Sequence, residues 1–302
     1  MEKKAVILGS SGSVGRYMVN FFYEMGYEIL GVDKVLIKNN RVKKQCPYDL
    51  NDINLVSKGI FNDCSAIIFA IPYQLAKNLI DEVLQSIKNQ NLLIIDTFSA
   101  KYQYFAQLDS YRNSFQTNLY FLSMTPLFSP NKELSSYKTL VGSYKNNLPD
   151  AEIVDFIKSH PDMIFMDDIT QYDVIMSYIQ VIPHCLTIML ATLLKDSEIC
   201  YSDIKKYSTG FMEMMFYPLS RIVSGMPHVY WEIQQYNPYA KKARKKIRSS
   251  LSLIDKLLNS KDINNFEAYF NYLKNYFNDS DDINQSFSRM LNHSVNLLKN
   301  KE

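Results

Sequence analysis

Short hydrophobic runs alternate with stretches of helical periodicity over the first half of the chain. Residues 5–8, 27–32, 65–72 and 92–96 are apolar runs typical of strands covered on both faces. The stretches between them predict helices over 16–25 and 74–89. Further strands are predicted at 118–123, 139–142 and 163–166, with a helix over 151–159. Strands that alternate with helices predict a parallel sheet, which we expect to end near Asp168.

From Ile169 onward the pattern changes to one of helices alone. Glycine is nearly absent except at Gly210 and Gly225, and apolar residues recur at helical spacing almost to the C-terminus. These helices carry more Leu, Ile, Met, Phe and Tyr than a lone bundle of this size needs, which predicts a homodimer formed through them.

A glycine-rich turn joins the first strand to the first helix. The spacing G-x-G-x-x-G would place glycines at 10, 12 and 15, but position 10 is Ser10 and a glycine stands one residue earlier, at Gly9. Such a turn lets the backbone approach a pyrophosphate, while the next helix directs its free N–H groups towards it. An ordinary strand–helix turn without a nucleotide is the alternative.

An acidic residue follows the second strand at the position expected for a dinucleotide site. Asp33 lies 18 residues beyond Gly15, close to the spacing of a carboxylate that binds ribose hydroxyls. Asp33 would repel a 2′-phosphate, which favours NAD, although Lys34 and Lys38 could moderate the repulsion and leave NADP open. The predicted cofactor residues are Gly9, Ser10, Ser11, Gly12, Ser13, Val14, Gly15, Asp33, Ile71 and Pro72.

These patterns predict an α/β protein in two domains. Residues 1–168 are expected to form an N-terminal Rossmann-like domain with a doubly wound, mostly parallel sheet. Residues 169–302 are expected to form an all-α C-terminal domain for substrate binding and dimerisation.

Charge and cysteine content narrow the class of partner. Thirty-three basic and 31 acidic side chains give a net charge of +2, which provides no general attraction to nucleic acid or to an anionic membrane. We therefore expect a small-molecule partner. The four cysteines lack CxxC or metal-ligand spacing, so we expect reduced thiols, no metal site and a cytoplasmic protein.

One stretch is long enough to span a bilayer. Residues 174–194 are largely apolar, yet Gln180, Pro183 and His184 lie in the middle. A helix at a domain or subunit interface explains this pattern better, and the apolar run near the N-terminus is too short for a signal peptide. The basic run at 241–248 is typical of a solvated helix face.

Four further segments share one order and spacing with a known family. They are Asp96-x-x-Ser99-x-Lys101, the segment 121–130 (FLSMTPLFSP), the segment 173–184 (DVIMSYIQVIPH) and the segment 221–233 (RIVSGMPHVYWEI). Together with the glycine turn they cover about residues 5–240 and resemble the prephenate and arogenate dehydrogenases, which oxidatively decarboxylate prephenate-like compounds. No segment resembles an appended chorismate mutase or a regulatory domain, so we expect a monofunctional enzyme.

The resemblance assigns roles to three residues. It implies that Ser99 hydrogen-bonds near the C4 substituent of a dicarboxylate substrate, that His184 lies beside nicotinamide and substrate, and that Arg221 binds a substrate carboxylate. A guanidinium suits that last role because it can meet a carboxylate with two parallel hydrogen bonds. Read alone, the three are typical of a helix cap, a core histidine and a surface arginine.

The departure from the family is at Thr125. Relatives have a histidine there, which accepts a proton from the C4 hydroxyl as hydride leaves C4 for NAD. Threonine cannot be that base at neutral pH, and losing a positioned base lowers rates by roughly 10²- to 10⁴-fold. An amino group at C4 removes the need for a base, since its lone pair can expel hydride. The favoured substrate is therefore 4-amino-4-deoxyprephenate, giving 4-aminophenylpyruvate, CO2 and NADH. Relatives that serve aminophenylalanine-type natural products also lack the histidine.

Three alternatives remain open. The chain could be an ordinary prephenate or arogenate dehydrogenase in which His184 or another group is the base. It could be a non-catalytic dinucleotide-binding regulator, although the presence of both Arg221 and His184 argues against this. It could also be another hydroxy-acid dehydrogenase with the same two-domain plan.

Overall fold

A computed structural model of the protein divides the chain into two compact units, Met1–Ile175 and Met176–Glu302. It describes residues 3–36, 38–50, 55, 58–86, 91–111, 119–128, 138–144, 148–149, 151–277, 286 and 289. The domain boundary expected at residue 168 stays a prediction.

Eight strands form one sheet in the first unit. They are β1 Lys4–Leu8, β2 Glu28–Val32, β3 Lys44–Cys46, β4 Ala66–Phe69, β5 Leu92–Asp96, β6 Leu119–Pro126, β7 Thr139–Ser143 and β8 Met163–Phe165. Their order is β3-β2-β1-β4-β5-β6-β7-β8, with every pair parallel except β6 and β7. The helices of this unit are α1 Ser13–Glu24, α2 Tyr73–Ser86, α3 Tyr102–Ser110, α4 Ala151–Ser159 and the short α5 Tyr172–Met176, which a 3₁₀ turn, Ile169–Gln171, precedes.

The strands are apolar along their whole length because both faces of the sheet are covered. In β1, Val6 and Leu8 pack into one hydrophobic cluster, and Ala5 and Ile7 pack into another on the opposite face. The carboxyl ends of the central parallel strands therefore meet at one edge, where loops can hold a ligand.

Only helices occur in the described part of the second unit. A π-helical segment, Ser177–Val181, leads into α6 Ile182–Asp196. The others are α7 Tyr201–Lys206, α8 Gly210–Val223, α9 Pro227–Tyr236, α10 Ala240–Asn259 and α11 Ile263–Tyr276. The buried core of this unit is small and centres on Val181, Ile233, Ala240 and Ala243.

The fold-class prediction is confirmed, with corrections to individual elements. The first helix begins at Ser13 rather than at Arg16, and β3 was not predicted. The sixth strand continues to Pro126 because β7 pairs with it as far as the pair Pro126 and Thr139. Thr125 therefore lies inside β6, beyond the strand end predicted at residue 123. Residues 87–89 of the predicted second helix and residue 118 of the predicted strand lie outside the described residues.

One helical stretch of the described chain is long and apolar enough to cross a membrane by length and composition. It runs over Ile169–Asp196, and its most apolar 18-residue window has a mean hydropathy of 1.7 and is 22% buried.

Candidate functional site

The glycine turn of the first unit has two positions that only glycine can occupy. Gly9 has a φ of +80°, and a Cβ there would lie 2.5 Å from the Ala70 carbonyl oxygen. A Cβ on Gly15 would lie 1.9 Å from the Gly9 carbonyl oxygen. These contacts bring the loop, the end of β4 and the start of α1 together, as a nucleotide-binding turn requires.

The irregular residue of the turn, Ser10, is accommodated by a glycine in the neighbouring strand. Ser10 is buried, and its Oγ lies 2.8 Å from the point where a Cβ on Gly31 would stand. The missing side chain at Gly31 therefore makes room for Ser10 in the turn. The sequence alone did not identify Gly31 as part of this site. The signal available in the sequence was a glycine inside the otherwise bulky second strand.

Asp33 is fixed at the edge of this loop. Its Oδ2 accepts a hydrogen bond from the Ser11 amide at 3.0 Å, and its Oδ1 accepts one from the Val35 amide at 3.1 Å. Each carboxylate oxygen can accept a further hydrogen bond, so both remain able to bind a hydroxyl group. The Arg16 guanidinium donates to the Ser11 carbonyl at 2.7 Å and holds the loop from the helix side.

The other predicted cofactor residues surround the same turn. Gly12 is the N-cap of α1, and Ser13 and Val14 lie in its first turn, which carries no acidic side chain. Ile71 reaches the loop, since its Cγ2 would lie 2.6 Å from a Cβ on Gly9. Pro72 precedes α2, and its carbonyl accepts from the amides of Leu75 and Ala76. The structure thus brings the predicted cofactor residues to one edge of the sheet.

A buried polar cluster lies at the ends of β5 and β6. The Lys101 ammonium forms an ion pair with Asp96, whose other oxygen accepts a hydrogen bond from the Ser123 hydroxyl. Burial lowers the pKa of Lys101, and the Asp96 carboxylate opposes that fall. Buried charges are stable only when they are paired. The ion pair therefore gives a structural reason for the presence of Asp96 and Lys101 in this segment.

Asp173 connects this cluster to a second segment of the chain. Its carboxylate accepts hydrogen bonds from the backbone amides of Lys101, at 3.1 Å, and Tyr102, at 2.7 Å. Burial raises the pKa of Asp173, and these hydrogen bonds oppose the rise. The sequence reasoning gave Asp96, Lys101 and Asp173 no role. The sequence contains one indication of these residues: charged side chains stand close to strongly apolar runs.

Ser99 and Thr125 lie beside this cluster. Ser99 is half-buried and makes no hydrogen bond to a described residue, and it does not cap α3, which begins after Lys101. Thr125 is buried, and its hydroxyl faces the Phe98 carbonyl oxygen at 3.5 Å. The last two residues of the segment 121–130, Ser129 and Pro130, lie outside the described residues.

Tyr172 covers the Thr125 side of the cluster. Burial raises the pKa of Tyr172, and the nearby Thr125 hydroxyl opposes the rise, but the two hydroxyls do not reach hydrogen-bond geometry. The Lys101 ammonium lies 5.1 Å from the centre of the Tyr172 ring. Tyr172 is therefore a neutral phenol at physiological pH.

The remaining two predicted catalytic residues meet in the second unit. Burial lowers the pKa of His184, and the Arg221 guanidinium lowers it further, so the imidazole is neutral at physiological pH. The Tyr230 ring packs edge-on against His184 at 5.1 Å between ring centres, and its hydroxyl donates to the Arg221 carbonyl. Arg221 itself is exposed, which leaves its guanidinium accessible to an anion.

One further carboxylate of the second unit has a shifted pKa. Burial raises the pKa of Glu232 to about 6, and this carboxylate has no ion pair with a described residue.

Within the described residues, no group of three or more His, Cys, Asp and Glu side chains could hold a metal ion.

Comparisons with known proteins agree with the motifs. Residues 168–272 match the family profile described as the prephenate dehydrogenase dimerization domain. A curated Methanocaldococcus jannaschii protein named "Probable arogenate/prephenate dehydrogenase" is 20% identical over 266 residues, which cover 86% of this chain and 58% of the relative. The chain thus spans less than two thirds of that relative's length.

A solved structure shares the fold. It is a Corynebacterium glutamicum protein described as a candidate prephenate dehydrogenase, with a TM-score of 0.62 and 12% identity over 91% of this chain and 89% of that one. Residues 168–272 are therefore similar to the dimerization domain of prephenate dehydrogenases, and most of the chain is distantly similar to the curated relative.

Proposed function

We propose that the chain is an NAD-dependent dehydrogenase that oxidatively decarboxylates 4-amino-4-deoxyprephenate to 4-aminophenylpyruvate. The observation that carries the substrate choice is Thr125, a buried threonine at the position where the resemblance expects a general base. Its hydroxyl faces the Phe98 carbonyl oxygen, and no described side chain forms a hydrogen bond with it. The nearest phenol, Tyr172, has a raised pKa and cannot act as a base at neutral pH.

The glycine turn supports the cofactor assignment. Gly9 and Gly15 leave no room for a side chain, and Asp33 presents two carboxylate oxygens that favour ribose hydroxyls over a 2′-phosphate. NAD, when bound, would supply the hydride acceptor. This chain's own residues would bind and orient the substrate.

The reaction balances without a protein base. The substrate amine reacts in its neutral form, after its ammonium group has lost a proton to solvent. Hydride leaves C4 with its electron pair, and the lone pair of the neutral amine stabilises the cation that remains. The bond between C1 and the ring carboxylate then breaks, and its electrons enter the ring, which becomes aromatic as CO2 departs. Arg221 would bind a substrate carboxylate, the Ser99 hydroxyl would hydrogen-bond near C4, and neutral His184 would lie beside the reacting ring without adding a second cation.

Neutral His184 favours one alternative. An unprotonated imidazole can accept a proton, so a prephenate or arogenate dehydrogenase with His184 as its base is the second candidate. The two functions differ in substrate preference.

Steady-state kinetics separate the two candidates. Purified full-length protein is given NAD with 4-amino-4-deoxyprephenate, prephenate or arogenate, and NADH formation is followed by absorbance. We expect kcat/KM on the amino substrate to exceed that on the hydroxyl substrates by roughly 100-fold or more. Equal turnover of prephenate would contradict the proposed substrate.

Substitutions at position 125 test the reason for that preference. Thr125→His should raise kcat/KM on prephenate by at least about tenfold if a base is missing there. Thr125→Val keeps the shape without the hydroxyl and serves as the matched control, with thermal melting to check folding. A Thr125→His protein that folds and gains nothing on prephenate would indicate that the base lies elsewhere.

We also infer that the chain acts in the cytoplasm as a homodimer joined through its helical unit. The dimerization-domain profile over 168–272 and the exposed apolar side chains of that unit support this inference.

A further inference from the structure

Two polar atoms of the second unit are buried and have no hydrogen-bond partner among the described residues. They are Oε1 of Gln180 and Nδ1 of His184. Leaving one buried polar group unpaired destabilises a protein by about 1–3 kcal/mol, so such groups are rare unless a ligand completes them. The two residues are four apart, on consecutive turns of one helical stretch.

The backbone at Gln180 is also unusual. Gln180 lies in the π-helical segment Ser177–Val181, directly before α6 begins at Ile182. Single π turns inside α-helices occur frequently at functional sites, because the extra residue redirects the side chains.

Other side chains hold this π turn in place. The Gln234 amide donates to the Val181 carbonyl oxygen at 2.8 Å. Arg244 in turn donates to the Gln234 side-chain oxygen at 2.7 Å and to its backbone oxygen at 3.0 Å. The turn is therefore stabilised without any contribution from the Gln180 oxygen, which leaves that oxygen available.

The surroundings define what could bind there. An amide oxygen accepts hydrogen bonds and cannot donate them. Arg221 close to His184 supplies a cation for a carboxylate, and the Tyr230 ring supplies an apolar wall. An anionic ring compound that also carries a hydrogen-bond donor, such as an N–H group, fits this combination.

We propose that Gln180 is a binding residue whose Oε1 accepts a hydrogen bond from an N–H group of the ligand that His184 and Arg221 contact. This inference rests on the proposed function, which offers two sources of such a group. One is the C4 amine of the substrate, and the other is the carboxamide of nicotinamide. Both present the same chemistry to Gln180.

The test uses binding as well as turnover, with three variants of the full chain. Gln180→Met removes the acceptor at similar size, whereas Gln180→Glu keeps an acceptor and removes the amide donor. Gln235→Met changes an exposed glutamine of α9 and is the matched control. Calorimetry gives the Kd of 4-aminophenylpyruvate and of 4-hydroxyphenylpyruvate, NADH fluorescence gives the Kd of the cofactor, and thermal melting checks folding.

We expect Gln180→Met to weaken one N–H ligand by about tenfold or more, while Gln180→Glu, which keeps an acceptor but adds a charge, loses less than Gln180→Met, and Gln235→Met stays within about threefold of the wild type. A loss for 4-aminophenylpyruvate with no loss for NADH, and with a matching rise in substrate KM, assigns the donor to the C4 amine. A loss confined to NADH assigns it to the carboxamide.

Two results would overturn the inference. If Gln180→Met binds all ligands as tightly as the wild type does, the Gln180 oxygen takes no part in binding. If Gln180→Glu loses as much affinity as Gln180→Met, the amide group donates a hydrogen bond instead. The proposed function fails separately, if the wild-type protein does not bind 4-aminophenylpyruvate and does not turn over 4-amino-4-deoxyprephenate. In that case this inference fails with it.

Discussion

Ser10 and Gly31 fit together by size across the boundary between the glycine turn and β2. A Cβ on Gly31 would lie 2.8 Å from Ser10 Oγ, 3.2 Å from Ser10 Cβ and 3.2 Å from Val42 Cγ1. Contacts this short in a packed interior force side chains or backbone to move. The serine in the turn and the glycine in the strand are therefore a matched pair.

Changing the strand residue should expose this dependence. Gly31→Ala is expected to lower the free energy of unfolding by about 1–3 kcal/mol, because the new methyl group overpacks against Ser10. In a Ser10→Gly background the loss should be clearly smaller, since only the Val42 contact remains. Urea denaturation of the four proteins of the cycle measures the coupling. Equal losses in both backgrounds would contradict the pairing.

Glu232 provides a residue-scale prediction on pH. Its pKa is raised by burial from the ordinary 4.5 to about 6, so the folded state holds the proton more tightly than the unfolded state does. Ionisation therefore begins to destabilise the fold as pH rises above 4.5, and the full effect is present above pH 6.

Glu232→Gln removes that effect. We expect the variant to be more stable than the wild type at pH 7.5 by up to about 1 kcal/mol, a value reduced for the solvent that still reaches this half-buried group. At pH 4.5 the two proteins should be equally stable. Glu267→Gln makes the same substitution at an exposed position of α11 and is the control for the change of side chain itself. A constant difference across the pH range would contradict the assignment.

At the scale of elements, two aspartates connect β5, α3 and α5. Asp96 at the end of β5 pairs with the Lys101 ammonium, and Asp173 in α5 accepts a hydrogen bond from the Lys101 amide. Lys101 and Asp96 are 1% and 0% exposed, and Asp173 bonds the first amides of α3 from a position 72 residues further along the chain. Removing one partner of a buried ion pair leaves the other charge uncompensated in a medium of low polarity.

Asp96→Asn should therefore destabilise the protein by about 3–5 kcal/mol. The double variant Asp96→Asn/Lys101→Met leaves no lone charge of this pair and should recover a large part of that loss. Lys3→Met, which breaks the exposed pair of Lys3 with Glu152, is the control and should cost less than about 1 kcal/mol. Denaturation curves at one pH compare the variants. A double variant as unstable as Asp96→Asn would show that the pair does not explain the loss.

The same elements show why some features could be predicted and others could not. β1, β4 and β5 are covered on both faces, so each appears in the sequence as a continuous apolar run. β3 has three residues, of which only Cys46 is buried, and carries no such pattern. The contacts of Asp173 with α3 and of Ser10 with Gly31 join distant parts of the chain, and local periodicity contains no information about them.

The candidate site divides in the same way. The glycine turn and Asp33 follow a local spacing, and the sequence predicted them as a group. The roles of Ser99, Thr125, His184 and Arg221 came from a resemblance and remain predictions. The unpaired oxygen of Gln180 depends on a π turn that distant Gln234 supports, so only the folded chain could reveal it.

At the scale of the whole molecule, the distribution of exposed apolar side chains needs an explanation. Most of them belong to the second unit. In the helical stretch Ile169–Asp196, which leads into that unit, the most apolar 18-residue window has a mean hydropathy of 1.7 and is only 22% buried. Examples on its helices are Leu186, Leu193, Phe211, Val223, Trp231, Leu258 and Phe270. An open apolar hollow of about 530 Å³ lies between α6, α7 and α8. A large amount of exposed apolar surface in one unit is typical of an interface with protein or with lipid.

Self-association explains this surface better than membrane insertion, because Gln180, Pro183 and His184 interrupt the apolar stretch and two of them carry unpaired buried polar atoms. We expect a dimer at micromolar concentration in buffer without detergent, measured by sedimentation velocity, with a melting temperature that rises with protein concentration. Leu193→Glu, at a position 65% exposed in the single chain, should shift the protein towards monomer because a dimer would bury the new charge. Leu36→Glu, 52% exposed in the first unit, should leave the dimer intact. A wild-type protein that sediments as a monomer in buffer, or that stays soluble only in detergent, would contradict this account.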